Sequence, residues 1–238
     1  MIINLISSPR NISTALMYSF AQRQDIKVVD EPFYAYYLWS TGLRHPGRDE
    51  ILKSQPTSLL DVVRQLDELA NGNRHIFVKN MAHHLVGQPM DFLSGYRNVF
   101  LIRDPKQLIA SFTEVIPQPT MQDIGSRRQA ELYDWLGMQQ DCPVIDSNEV
   151  LKNPKNVLGQ LCEKLGIPFD ENMLHWQPGP LPEDGVWARY WYGNVHQSKG
   201  FSRQQSSERP LPEACLPLFR EAWPYYENLY RKAIKAED

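Results

Sequence analysis

The stretch Ser7-Ser8-Pro9-Arg10-Asn11-Ile12-Ser13-Thr14 puts one fixed positive charge and several hydroxyls into a single short turn. Arg10 brings a planar fork of donors, and Ser13 and Thr14 bring hydroxyls, the groups that hold a phosphate or a sulfate. An apolar run at 2–6 precedes the turn and an apolar-periodic run to residue 20 follows it, so the segment reads as strand, tight turn and helix. A helix starting near Asn11 or Ser13 leaves the N–H groups of Asn11, Ile12, Ser13 and Thr14 unpaired at the strand's carboxyl end, where an anion satisfies them. The glycines and lysine of G-x-x-x-x-G-K-[ST] are absent, which makes this a poor NTP loop. A plain helix cap is the alternative reading.

A second set is Arg103-Asp104-Pro105 with Ser111. Asp104 suits a helix cap and Pro105 a first helical position, so Ser111, about two turns further on, shares the cap's face. Arg103 and Ser111 can then hold one phosphate from two sides; an Arg103–Asp104 pair with Ser111 in solvent is the alternative. If chemistry is done beside such anion sites, a residue that can take a proton is also needed. Asp30-Glu31 ends a short apolar run, and Glu31 is the first choice; its alternative role is to cap the aromatic segment that follows. His83 and His84 compete, because neutral imidazole suits a base near pH 7.

These residues need a frame that brings them together. Apolar runs at 26–29, 76–78, 98–102 and 143–146 join the one at 2–6 and alternate with helical patterns, which predicts an α/β fold with a parallel sheet in three α/β/α layers. In such a sheet the ligand-bearing turns gather at one edge, and all the candidates fall on those turns. Helices are expected over 33–39, with Pro32 at a first helical position, over 59–70, from Pro105 onward, and over 129–139 and 153–165. Residues 41–55 and 178–200 read as irregular loops, the second long enough to be functional. A helix broken near Pro217 and Pro224 is expected to close the chain. No repeat or linker divides residues 1–238, so one domain is expected.

Taken together these motifs resemble those of sulfotransferases that use 3′-phosphoadenosine 5′-phosphosulfate (PAPS). Ser-Ser-Pro-Arg-Asn-Ile-Ser-Thr is similar to the family's 5′-phosphosulfate loop, with Arg10 where the cytosolic enzymes carry Lys. Arg103 through Ser111 resembles its 3′-phosphate site, and Val144 to Gly166 its strand-helix segment ending in Leu-Gly. Ser198-Lys199-Gly200 is similar to the late loop that folds over the 3′-phosphate, with Ser198 in place of the fuller motif's Arg; a solvated loop lysine is the alternative for Lys199. Glu31-Pro32-Phe33-Tyr34 resembles the segment supplying the base in bacterial carbohydrate-type enzymes. The resemblance implies a P-loop NTPase-like fold, a single sulfotransferase domain, Lys79 touching the transferring group, and PAPS as donor with adenosine 3′,5′-bisphosphate as product. It implies no metal. Met81 stands where the cytosolic enzymes place their histidine, so His83 and His84 do not align directly. Phe33, Tyr34, Tyr36, Tyr37, Trp39, Trp187, Tyr190, Trp191 and Tyr192 can line an acceptor pocket or hold the adenine. An NTP-dependent small-molecule kinase of the same fold and a catalytically silent nucleotide-binding protein are the rival readings.

Composition narrows the partners. A net charge of −3 gives no global basic field and counts against nucleic acid. No apolar run is long enough to span a bilayer and no basic leader opens the sequence, so a cytoplasmic enzyme acting on a small-molecule acceptor is expected. Cys142, Cys162 and Cys215 are widely spaced and odd in number, which suggests neither a disulfide framework nor a zinc site.

Overall fold

Every residue of the first apolar run, Ile2–Ser7, is buried, and a strand achieves that only when both faces of its sheet are covered. The computed structural model describes residues 1–87, 90–114, 116–202 and 209–237. In it this run is β1 of a six-stranded parallel sheet ordered β2-β3-β1-β4-β5-β6. The other strands are β2 (Ile26–Asp30), β3 (His75–Met81), β4 (Arg97–Ile102), β5 (Val144–Asp146) and β6 (Ala233–Ile234). The helices are α1 (Ser13–Ala21), α2 (Tyr34–Thr41), α3 (Arg48–Ser54), α4 (Leu59–Gly72), α5 (Pro105–Phe112), α6 (Met121–Ile124), α7 (Ser126–Gly137), α8 (Ser147–Lys152), α9 (Pro154–Leu165), α10 (Ala188–Trp191), α11 (Gly193–His196) and α12 (Leu216–Tyr230).

Side-chain alternation along the strands divides the core into the expected layers. Ile3, Leu5, Phe77, Val99 and Leu101 pack with Leu16 and Phe20 of α1 and Leu158 and Leu161 of α9. Ile2, Ile6, Val78 and Phe100 pack on the opposite face with Val62 and Leu66 of α4, Leu132 and Leu136 of α7 and Leu229 of α12. Three buried amides interrupt this second face. Asn80 Nδ2 donates to Asn4 Oδ1 at 2.6 Å and Asn4 Nδ2 to Asn98 Oδ1 at 2.8 Å, so one side-chain chain crosses β3, β1 and β4. From α7, Gln129 Nε2 donates to the carbonyls of Ile6 and Leu101, both at 2.9 Å.

Several expected boundaries move, each for a tertiary reason. Pro32 does not start the aromatic helix; α2 begins at Tyr34 with Phe33 as its cap residue and no side-chain cap. The segment 41–55 contains α3 between Gly47 and Gln55, anchored by the fully buried Ile51. β3 runs on to Met81, because Lys79, Asn80 and Met81 pair with Leu5, Ile6 and Ser7. The last helix is not broken: α12 continues through Pro224, with Ala222 and Leu229 buried on either side of it. A sixth strand, β6, pairs with β5 through Ala233 and Ile234. The long loop 178–200 holds the short helices α10 and α11.

Candidate active site

The turn between β1 and α1 is held to β4 by one side chain. Asn11 Nδ2 donates to Leu101 O and to Ser8 Oγ, both at 3.3 Å, and its Oδ1 accepts the Ile12 N–H at 2.8 Å. The Ile12 N–H is therefore committed to the turn itself. The first-turn N–H groups that follow belong to a helix with no side-chain cap and no acidic residue in its first turn, so its positive end is left open. Arg10 takes φ 53° and Glu31 φ 40°. Among the described residues these are the two non-glycine positions with positive φ, and both were picked out above for their chemistry. Such backbone costs on the order of 1–3 kcal/mol and persists where its surroundings enforce it.

Arg103 lies just past β4 and donates to the carbonyl of Arg10, while Arg10 Nε donates to Ser111 Oγ at 3.3 Å. Both predicted anion sites thus meet in one place, and the Arg10 side chain reaches the serine assigned to the other site. Burial lowers the Arg103 pKa to about 10, and the neighbouring Arg10 charge adds to the shift. Burial also lowers that of Arg10, with Arg209 next. Arg209, 3.5 Å from Glu114, is a third arginine here and one that no periodicity or motif marked. A cavity of about 150 Å³ opens on this cluster. Arg10, Asn11, Ile12, Thr14, Arg103, Gln107 and Ser111 line one side, Ser147 and Asn148 another, and Trp191, Tyr192, Val195, Ser198 and Gly200 roof it. The buried Ser147 Oγ has no partner. Lys199 is exposed and lines neither this cavity nor the next; its carbonyl accepts from the Trp176 N–H at 3.2 Å.

The second cavity, about 320 Å³, lies on the β2–β3 side and is lined by Glu31, Lys79, His83 and His84 together with Ser13, Tyr34, Tyr37, His45 and Asp123. Glu31 does not cap α2. Its backbone is clamped instead: its N–H donates to Lys79 O at 2.8 Å, and its carbonyl accepts from Tyr34 N and Gln55 Nε2, both at 3.0 Å. Its carboxylate takes Lys79 Nζ at 2.7 Å. Lys79, 1% exposed, also donates to Asp30 Oδ1 at 2.8 Å and to the Tyr192 hydroxyl. An ammonium has three donors, and all three are used. That departs from the expectation that Lys79 touches the transferring group; inside the extended β3 it stands beside Asp30 and Glu31 instead.

Burial raises the Glu31 pKa, opposed by Lys79 and reinforced by Asp30. For Lys79, burial works against the charge, but the two carboxylates outweigh it and hold the pKa above its ordinary value. Burial takes the His83 pKa down to about 3 and places that of His84 well below its usual range. Both imidazoles are therefore neutral at physiological pH. His84 stacks on Tyr34 and Tyr37 with centroids 4.4 and 4.8 Å away, and its Nδ1 is 3.6 Å from Glu31 Oε2. Of the nine aromatics expected near the site, Tyr34, Tyr37, Trp191 and Tyr192 line it. Phe33 and Trp187 are core residues, Trp39 and Tyr190 are exposed, and the Tyr36 hydroxyl donates to Val86 O.

Arg10, Asn11, Thr14, Trp191 and Tyr192 line both cavities. The two chambers are thus separated by the turn that carries the helix N-terminus, and a group held at that turn is reachable from either side. Among the described residues, no group of three or more His, Cys, Asp or Glu could hold a metal, and no helix is long and apolar enough to cross a membrane.

A parallel sheet whose first strand runs into an uncapped helix N-terminus, with a chamber on either side of that turn, is a P-loop-like fold. The chain belongs to the sulfotransferase domain family, whose model matches residues 1–233. Its fold is shared with the sulfotransferase domain from the Synechococcus PCC 7002 olefin synthase, at TM-score 0.58 and 16% identity over 95% of this chain and 94% of that one. The sulfotransferase domain from the curacin biosynthetic pathway gives TM-score 0.54 and 15% identity, covering 98% of each chain. In sequence the chain is 38% identical over 236 residues to the branched-chain-amino-acid aminotransferase-like protein 1 of Arabidopsis thaliana. That alignment covers 98% of this chain and 42% of the relative, so the chain spans about two-fifths of that protein's length.

Proposed function

We propose that this protein transfers a sulfuryl group from PAPS to a hydroxyl or amine of a small-molecule acceptor. Sulfotransfer is the activity that family membership supports; the donor and the acceptor class are read from the site. The observation that carries the reading is the pairing of Arg10 with Arg103 beside Ser111, two half-buried like charges whose pKa values are both lowered. Like charges held together out of water are stabilised by a multivalent anion between or beside them. A nucleotide phosphorylated on both its 3′ and 5′ sides supplies such charge: Arg103 and Ser111 take its 3′-phosphate, and Arg10 turns to the 5′-phosphosulfate. The first-turn N–H groups of α1, with Ser13 and Thr14, hold the 5′-phosphosulfate at the wall between the chambers. Gly200 lies where the roof closes on the donor.

Glu31 then acts as base from the second chamber. The acceptor oxygen or nitrogen forms a bond to sulfur as the sulfur–oxygen bond to the 5′-phosphate breaks; the acceptor's proton passes to Glu31, and adenosine 3′,5′-bisphosphate leaves. A pKa raised above the ordinary carboxylate range suits that step. Arg10 borders both chambers and stabilises charge on the migrating group. The neutral His83 and His84 shape the acceptor chamber, and His84 sits beside the base.

Thermal-shift titration tests the donor. Adenosine 3′,5′-bisphosphate is expected to raise the melting temperature, and a response to ATP with Mg²⁺ alone would move the protein to the kinase reading. Turnover of PAPS with a panel of phenols, alcohols, sugars and amines tests the transfer itself; nucleotide binding with no turnover on any of them would support a silent binder.

A further inference from the structure

Tyr192 stands between α10 and α11, in the segment that roofs both chambers. Its hydroxyl is buried and occupied on every side. It accepts from Lys79 and from Trp187 Nε1 at 3.1 Å, and its one proton lies between the oxygens of Asp30, 2.9 and 2.8 Å away. Glu31 Oε1 is farther, at 3.3 Å. Asp30 is itself fixed by Lys79 at 2.8 Å and by the Gly185 N–H at 3.1 Å. The Lys79 ammonium therefore has a fixed acceptor for each donor, in three directions, and only one of them is the base. Without Tyr192 or Asp30 it is free to turn, and with it Glu31 Oε1.

We propose that Tyr192 and Asp30 are positioning residues for the base: they seat Lys79 on Oε1 of Glu31 and so reserve Oε2 for the acceptor's proton. This rests on the reading of Glu31 as base. The geometry distinguishes the two oxygens. Oε1 receives Lys79 at 2.7 Å, whereas the nearest titratable group recorded beside Oε2 is the unpartnered His84 Nδ1 at 3.6 Å. Among the described residues Oε2 thus carries no lysine or tyrosine partner and is left for an acceptor hydroxyl entering the second chamber. The backbone of Glu31, at positive φ, is held by Lys79 O, Tyr34 N and Gln55 Nε2.

The groups facing Glu31 are Asp30 from β2, Lys79 from β3, His84 from the turn after β3, Tyr34 from α2 and Tyr192 from the roof. Two of them push its titration in opposite directions: the Asp30 charge raises it and the Tyr192 hydrogen bond lowers it. Each substitution therefore has its own signature. Tyr192→Phe keeps the ring and is expected to lower kcat by roughly ten- to a hundredfold, as loss of a hydrogen bond to a charged group does. It moves the acidic limb of the kcat/KM profile to higher pH. Asp30→Asn, isosteric, is expected to lower kcat and to move that limb to lower pH. Neither is expected to change affinity for adenosine 3′,5′-bisphosphate.

The experiment is the pH profile of both variants and of Glu31→Gln beside the parent, with nucleotide affinity measured on each. Opposite limb shifts with constant nucleotide affinity support the proposal. If Glu31→Gln abolishes turnover while Tyr192→Phe and Asp30→Asn leave kcat and the limbs in place, the positioning role is overturned and the base stands. If Glu31→Gln turns over like the parent, the base assignment fails and takes the positioning role with it. The two isosteric variants are independent, so one that fails to fold leaves the other to decide.

Discussion

On the donor side, Arg10 and Arg103 face each other around Ser111, and the third cation, Arg209, adds to the mutual repulsion. On the acceptor side, Lys79 is enclosed by Asp30, Glu31 and Tyr192, with every donor occupied. In one chamber the like charges are only partly offset, by Glu114, Asp104 and Asp146, and in the other the charge is compensated within the cluster. The difference teaches what each would receive under the proposed function: the first is completed by an anion, and the second offers a fixed carboxylate to a partner that needs to bring no charge.

The comparison can be broken most severely at Lys79. Lys79→Met leaves two buried carboxylates without their counter-ion and is expected to cost about 3–5 kcal/mol of stability by urea denaturation. A loss under 1 kcal/mol would mean that the acceptor side is not compensated as described. Glu31→Gln comes next, with a rate loss of roughly 10²–10⁴ and an unchanged thermal shift by adenosine 3′,5′-bisphosphate; lost nucleotide binding would merge the two chambers into one. Arg103→Ala is expected to weaken that nucleotide by about 1.5–3 kcal/mol in calorimetry, far more than its 3′-dephospho analogue. Equal losses would remove the 3′ assignment.

The smallest effect per pH unit comes from the histidines. His83 titrates at about 3 in the folded chain and near 6.5 when unfolded. The unfolded chain therefore binds more protons below that pH, and stability present above it falls by about 1.4 kcal/mol per pH unit as the pH drops from 6.5 toward 3. Glu31, with its pKa raised, acts in the opposite sense over part of this range. The readout is thus the difference between parent and His83→Gln at pH 7.5 and 5.5, and parallel curves would show that His83 is not buried neutral.

Much of the donor side was legible in the sequence because its signals are local. The apolar run before Ser7, the Arg10, Ser13 and Thr14 of the turn, and the Asp104-Pro105 start of α5 each show within a few residues. The acceptor side was legible only as residue types. Glu31 could cap a helix or take a proton, and the structure keeps it off α2 through Lys79, which stands opposite Asp30 in the sheet and donates to the Glu31 carboxylate. Tyr192 drew notice as an aromatic wall, but its hydroxyl matters through Asp30, far away in the chain. β6 escaped notice because Ala233-Ile234 is too short to show alternation and exists by pairing with β5. Arg209 had no periodic neighbour to mark it.

The amides of Asn80, Asn4 and Asn98 reach across three neighbouring strands. Because side chains along a strand alternate, slipping one of these strands by a residue would pull its amide out of line and turn Lys79 or the approach to Arg103 toward the wrong layer. The chain of amides therefore works as a set of alignment pins. It makes the distance between Lys79 and Arg103 a property of the sheet's interior, insulated from whatever sequence the surface loops adopt.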